Sequence, residues 1–294
     1  MISSNRHISM PDPYGSRPRV ASGRPLPLAY RLHRSYLRSG RELGAGFVLR
    51  QLIRFTRLFR RQDTAVVTVD GIAYHVDLLD PRLPLVLGEI AGSDSQTALL
   101  RMLRAGDTFL DVGANHGIFA LKAAKRVMPR GRVFAFEPQP RLAELIRRSS
   151  ASLGPRFTVH QLALSDREGE QELHVPREGS GAASLFEEDG TALPVQTARL
   201  DVVLQHDLPG QVVIKLDVEG SELPFLEGAV ATIRRYRPTI MFEFSPHTLE
   251  SAGYEPVELI NRLRGLGYRV TEIDRTPMRE LSRDRDLLAL PSHD

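Results

Sequence analysis

The sequence predicts an α/β protein with a mostly parallel sheet and helices on both faces. Three observations carry this. From about residue 95, apolar strand-like runs alternate with helical periodicity, the pattern of right-handed crossovers between parallel strands. The run TFLDV at 108–112 leads into a small-residue loop, Gly113, Ala114, Asn115, His116 and Gly117, and then into an apolar-periodic helix. The next strand-like run, VFAFEP at 133–138, ends in the carboxylate of Glu137 and a proline. This is the layout of a nucleotide-binding β-α-β unit. Glycines allow a sharp turn and close approach to a ligand, the helix start offers free N–H groups, and the carboxylate is placed to accept from two ribose hydroxyls.

The elements follow in order. Residues 1–44 form an arm whose first 28 residues are rich in Pro, Ser, Gly and Arg, a composition that predicts disorder. Residues 45–64 form a basic amphipathic helix: Arg50, Arg54, Arg57 and Arg61 share one face, and Val48, Leu52, Phe55 and Phe59 the other. That helix either packs its apolar face on the main domain or lies on an anionic membrane surface or acidic partner. Residues 65–294 form the main domain. Runs at 65–69 and 72–76 flank Asp70-Gly71, a hairpin signal. A helix at 95–104 precedes a core at about 95–294. Its strands are expected at 108–113, 131–136, 157–163, 211–217 and 238–244, with helices at 116–127, 139–152, 221–234 and 256–266. Residues 166–197 break the alternation and predict an excursion beside the site. Runs at 268–273 and 286–291 predict a terminal strand pair.

Composition sets further bounds. The chain has 294 residues, 41% hydrophobic and 26% charged, and no cysteine. Disulfides, Cys-ligated zinc and a thiol nucleophile are therefore excluded. No apolar run reaches the roughly 18 residues of a membrane span, and the N-terminus lacks the apolar core of a secretory signal. The expected location is cytoplasmic, with peripheral contact at the inner membrane face through 45–61. The first 61 residues carry thirteen arginines against Asp12 and Glu42, a net +11, whereas the whole chain is +3, so the remainder is net −8. A basic arm precedes an acidic body.

The loop reads D-x-G-x-N-x-G from Asp111 to Gly117. It is one residue shorter between its outer glycines than a dinucleotide fingerprint. It resembles motif I of class I S-adenosylmethionine-dependent methyltransferases. The segment VVIKLDVEGSELPFLEGA at 212–229 sharpens this, with Lys215, Asp217, Glu219, Gly220, Glu222, Leu226 and Gly228 in a K-x-D-V-E-G-x-E…L-x-G pattern. Thr197, Leu200 and Asp201 match a T-x-x-L-D element before it, and PTIMFEF at 238–244 follows. In this order, over about residues 70–275, the motifs resemble the FkbM-type methyltransferases.

The resemblance implies a Rossmann-like, mostly parallel seven-stranded sheet with a terminal antiparallel strand. It implies S-adenosylmethionine as cofactor and O-methylation of a hydroxyl on a glycan, glycolipid or polyketide-like small molecule. The expected cofactor-binding residues are Asp111, Gly113, Asn115, His116, Gly117, Glu137, Ala163 and Asp217. Two positions depart from the pattern. His116 stands where an aliphatic residue is expected, and Ser95, Gln96 and Thr97 stand where the preceding helix often carries an acid.

An alcohol is a poor nucleophile, so a positioned base helps by roughly 10²–10⁴. Asp217, Glu219 and Glu243 fall at strand ends on the ligand edge of the sheet and are the catalytic candidates. Asp217 can orient the acceptor and remove its proton, or cap the helix near Ser221. Glu219 can contact substrate or hold its loop. No metal is assigned, although the three acids are also the oxygen ligands a divalent cation takes. Lys215, inside an apolar strand, predicts an ion pair with a neighbouring carboxylate. His160 reads as structural. An RNA methyltransferase using the basic arm is a second reading, disfavoured because the N-P-P-[YF]-like signature of adenine-N6 enzymes is absent. A cofactor-binding, membrane-associated protein without catalysis is a third.

Overall fold

The computed structural model describes residues 63–176, 179–186, 190–204, 207–278 and 280–292. The arm predicted over 1–44 and all but the last two residues of the basic helix predicted over 45–64 lie outside the described residues; Thr64 belongs to a strand instead. The chain opens with a hairpin, β1 (Thr64–Val69) and β2 (Ile72–Asp77), with Val69 opposite Ile72. Its two turn residues, Asp70 and Gly71, both have positive φ, 52° and 77°, as a type I′ turn demands. Two helices follow, α1 (Leu83–Ala91) and α2 (Asp94–Met102). The first was not anticipated, because its apolar, proline-flanked sequence LPLVLGEIA has no clean polar stripe. Ser93 caps α2 by accepting from the Gln96 N–H at 3.2 Å.

The alternating core comes next: β3 (Thr108–Val112), α3 (Ile118–Val127), β4 (Arg132–Phe136), α4 (Pro140–Ser150) and β5 (Phe157–His160). The strand expected at 157–163 stops at His160. After it the chain enters a separate three-stranded sheet, β6 (Ala163–Leu164), β7 (Gly169–Val175) and β8 (Thr191–Ala198), in the order β6-β8-β7. This sheet is the excursion. The short α5 (Leu200–Val203) returns the chain to β9 (Val212–Leu216).

The helix expected at 221–234 is two, α6 (Glu222–Gly228) and α7 (Val230–Tyr236), broken at Ala229 with φ −119° and ψ 8°. At this junction the backbone packs closely: a Cβ on Gly228 would lie 2.0 Å from the Ser165 carbonyl oxygen. Asp201 then caps α7, accepting from the N–H groups of Ala231 and Thr232 at 2.9 and 2.8 Å. The chain ends in β10 (Thr239–Phe244), α8 (Pro246–Ser251), α9 (Pro256–Gly265), β11 (Tyr268–Glu272) and β12 (Arg285–Pro291).

The main sheet has seven strands in the order β11-β12-β10-β9-β3-β4-β5. Strands β10, β9, β3, β4 and β5 pair in parallel, and β12 inserts antiparallel between β10 and β11. Every residue of β3 and β9 is buried, as expected of central strands covered on both faces. Phe109, Val213 and Met241 pack on one face with Leu99, Leu121 and the hairpin's Tyr74. Leu110, Ile214 and Phe242 pack on the other with Phe225, Ile233 and Leu259. The strand order reverses beside β3, so the crevice above the carboxyl ends of β3, β4 and β9 is where such a sheet receives a ligand.

Candidate active site

A cavity opens at that switch point. One end is built by the β3–α3 loop and Glu137. Gly113 and Ala114 both donate to the Phe136 carbonyl, at 3.1 and 2.9 Å, which ties the loop to the end of β4. Asn115 adopts a left-handed backbone, φ 51°, and presents its N–H to Glu137 Oε2 at 2.7 Å. Glu137 Oε1 accepts from the Gln139 N–H at 2.9 Å. Each carboxylate oxygen so fixed retains a further acceptor position. Burial pushes the Glu137 carboxyl up to about 7, against the pull of those two backbone donors. Gly113, Asn115, Glu137 and Ala163 all line the cavity.

The two outer glycines answer to the protein's own packing. A Cβ on Gly113 would meet the Asp217 carbonyl oxygen at 1.8 Å, and one on Gly117 would meet Ile146 at 2.9 Å. Gly117 and His116 do not line the cavity. The His116 ring is 2% exposed. Its Nδ1 lies 2.5 Å from Asn115 Oδ1, and its Nε2 accepts from the Asp77 N–H at 3.4 Å. Burial lowers its pKa, so the neutral ring is a strut between the loop and β2. Asp111 is also turned inward. Its Oδ2 accepts from the Ala120 N–H at 2.8 Å at the start of α3, and its Oδ1 has no partner among the described residues. Burial raises it to about 6.

The other end of the cavity is charged. Lys215 Nζ pairs with Asp217 Oδ2 at 2.7 Å and sits 4.9 Å from the centre of the Phe119 ring. Burial works against charge on both partners. The Lys215 ammonium, aided by a hydrogen bond from Glu243, nevertheless holds Asp217 below its ordinary value, and Asp217 and Asp111 hold Lys215 above its own. The Asp217 charge, then burial, pushes Glu243 far up, so Glu243 holds the proton the two acids share. One carboxylate oxygen from each of Asp217, Glu219 and Glu243 lies within 4.8 Å of the others. That convergence suits a divalent cation's oxygen ligands, but the Lys215 ammonium already gives Asp217 its positive partner. Asp217 does not cap α6, and its N-cap residue Ser221 makes no side-chain cap either; Glu222 Oε1 accepts from the Gly220 N–H at 3.4 Å in the preceding turn. His160 stacks on Phe136 with ring centres 4.9 Å apart, a packing role.

Sequence reasoning missed part of the wall. Arg82 and Glu89, at the N-terminal boundary of α1 and near its end, line the cavity, as do Ser180, Gly181, Ala183 and Leu185 from the β7–β8 connection. Glu89 supplies an acid to the cavity from a helix preceding β3, where Ser95, Gln96 and Thr97 supply none. Its signal was hidden because α1 itself was not recognised. Gln139 Nε2 donates to the Ser180 carbonyl at 3.0 Å and Ser184 Oγ to the Glu219 carbonyl at 2.8 Å, which fix that connection over the site.

These residues fit an adenosyl donor: a double hydrogen-bond acceptor at a strand end, small residues beside it, and mixed charge at the far end. Residues 111–270 match the Methyltransferase FkbM domain. The 2-O-methyltransferase NoeI of Sinorhizobium fredii is 29% identical over 159 residues, 48% of this chain and 64% of that protein. The AMB antimetabolite synthetase AmbE of Pseudomonas aeruginosa is 51% identical over 65 residues, 21% of this chain and 3% of AmbE. The chain thus spans less than two thirds of the length of these curated relatives. Among solved structures, a methyltransferase FkbM from Methylobacillus flagellatus aligns with a TM-score of 0.41 at 16% identity, covering 71% of this chain and 58% of that one. The matched domain takes in more than half of the sequence, and the chain belongs to the FkbM family of S-adenosylmethionine-dependent methyltransferases.

Proposed function

We propose that this protein is an O-methyltransferase that uses S-adenosylmethionine to methylate a hydroxyl of a glycan, glycolipid or polyketide-like small molecule. The carrying observation is the continuous cavity between Glu137 and the Asp217–Glu219–Glu243 cluster, with ribose-type acceptors at one end and proton-handling groups at the other. The printed name of NoeI as a 2-O-methyltransferase supports oxygen as the acceptor atom.

When bound, S-adenosylmethionine supplies a methyl carbon activated by its sulfonium. Glu137 holds the ribose hydroxyls through the acceptor positions its backbone partners leave open. Gly113, Asn115 and Ala163 form the wall around the nucleoside, and Asp111, His116 and Gly117 keep that wall in shape from behind. Asp217 faces the acceptor, orients its hydroxyl and takes its proton. Lys215 keeps Asp217 ionised for that task, and Glu219 and Glu243 complete the polar rim. Positioning an acceptor in line contributes several kcal/mol to such a displacement.

The test is Asp217→Asn, which keeps shape and removes basicity. Turnover should fall by about 10²-fold or more while donor affinity by calorimetry stays within about twofold. A normal rate in this variant would overturn the assignment of Asp217.

A further inference from the structure

Five carboxyl groups line the cavity, from Glu89, Glu137, Asp217, Glu219 and Glu243, against two cations, Arg82 and Lys215. Lys215 is paired with Asp217 at 2.7 Å. Arg82 is placed differently. It stands at the N-cap of α1 and makes no side-chain cap. A cation there faces the positive end of the helix dipole, so the helix gains nothing from it. Among the described residues its guanidinium makes no hydrogen bond and no ion pair. The nearby Asp80 is committed elsewhere: it accepts from the Arg82 backbone N–H at 2.8 Å and from Ser180 Oγ.

The fold nevertheless fixes where this guanidinium sits. A Cβ on Gly179 would meet Arg82 Cγ at 2.7 Å. One on Gly181 would meet Arg82 Nη1 at 2.5 Å and Asn115 Nδ2 at 3.0 Å. The β7–β8 connection thus wraps the arginine stem and sets its tip beside the β3–α3 loop. On its other side the guanidinium is close enough to Asp217 to favour that carboxylate's charge. Arg82 therefore presents an unmatched cation between the loop beside Glu137 and the acids at the far end. S-adenosylmethionine brings one anion to the cavity, the carboxylate of its amino-acid end. With Lys215 already paired, that carboxylate meets acids everywhere except at Arg82.

We propose that Arg82 binds the carboxylate of the donor's amino-acid end, so that a residue upstream of the matched domain, which begins at residue 111, completes the donor site. The planar fork of a guanidinium matches a carboxylate bidentately, which an ammonium does not. Gly181 is the position that leaves room for this fork. The proposal rests on the methyltransferase reading and deepens it.

The experiment is calorimetry on the full chain with two probes that need no acceptor. One is S-adenosylhomocysteine. The other is S-adenosyl-3-thiopropylamine, which differs only in lacking the carboxylate. The unaltered chain should bind the first about tenfold or more tighter than the second. Arg82→Gln should remove most of that preference: S-adenosylhomocysteine weakens by about tenfold or more, and the decarboxylated probe changes by about twofold or less. Arg82→Lys should recover part of the loss. Gly181→Ala keeps the arginine and displaces its tip, so it should weaken S-adenosylhomocysteine in the same direction. Gly181 has no positive φ and its nearest neighbour is the end of a flexible side chain, so this variant should keep the parent's thermal midpoint, as should both Arg82 variants. Unchanged affinity for S-adenosylhomocysteine in Arg82→Gln would overturn the proposal. So would equal weakening of both probes, which is the signature of a structural role. Failure of the unaltered chain to bind either probe would instead remove the methyltransferase reading itself.

Discussion

Glu137 carries the clearest consequence at the scale of single residues. Both its oxygens are already held by backbone N–H groups, so Glu137→Ala removes the proposed ribose partners and the loop's anchor together. Donor affinity should fall by about 2–4 kcal/mol by calorimetry. The same carboxyl is raised to about 7 by burial. In the free protein its stabilising contribution is therefore complete below its ordinary value near 4.5 and is lost as pH rises through about 7. Ribose hydroxyls require the ionised form, so donor binding should tighten between pH 6 and 8 with release of a proton. An affinity flat across that window would count against the assignment. Glu243 gives a contrasting case. It already holds a proton beside Asp217, so Glu243→Gln should keep turnover within about threefold of the parent; a loss as large as that of Asp217→Asn would show that Glu243 must ionise during the reaction.

Elements explain why the loop tolerates so little change. The β3–α3 loop runs beneath the end of β9, where the Asp217 N–H donates to Val112 at 3.0 Å. Gly113 has φ +78° and no room for a Cβ. Gly113→Ala should cost about 3 kcal/mol or more in denaturant unfolding, because overpacking against backbone adds to the left-handed strain. A stability change under about 1 kcal/mol would mean the strand end can yield. The hairpin is coupled to the same loop through His116, and to α4 through the ion pair of Arg141 with the buried Asp77. Its contribution to the domain is thus to brace the β3–α3 loop from outside the matched residues.

The whole molecule adds the charge asymmetry between a basic arm and an acidic body. Among the described residues no helix is long and apolar enough to cross a membrane. The arginine stripe of residues 50, 54, 57 and 61 remains a proposed contact with anionic lipid, each residue contributing roughly 1 kcal/mol near such a surface. The full chain should co-sediment with phosphatidylserine-containing vesicles at low salt and release at high salt. Replacing the four arginines with glutamate should abolish this while leaving donor binding intact. Sedimentation indifferent to salt and to those substitutions would remove the membrane contact.

Local pattern determined much of this protein. The D-x-G-x-N-x-G loop, the carboxylate after β4 and the K-x-D-V-E-G segment are read within a few residues of chain, because turn geometry, strand ends and helix starts are local properties. They were enough to give the parallel sheet and the donor. Tertiary structure decided what spacing does not encode. It turned Asp111, His116 and Gly117 behind the wall, and it made Gly113 answer to the Asp217 backbone. It gave Asp217 a lysine partner and placed the shared proton on Glu243. It also recruited α1, roughly 25 residues upstream of the loop, to face the cavity. Side-chain direction, burial and the pairing of charges depend on which elements pack together, and a chain's neighbours in space are set by the folded sheet rather than by its order.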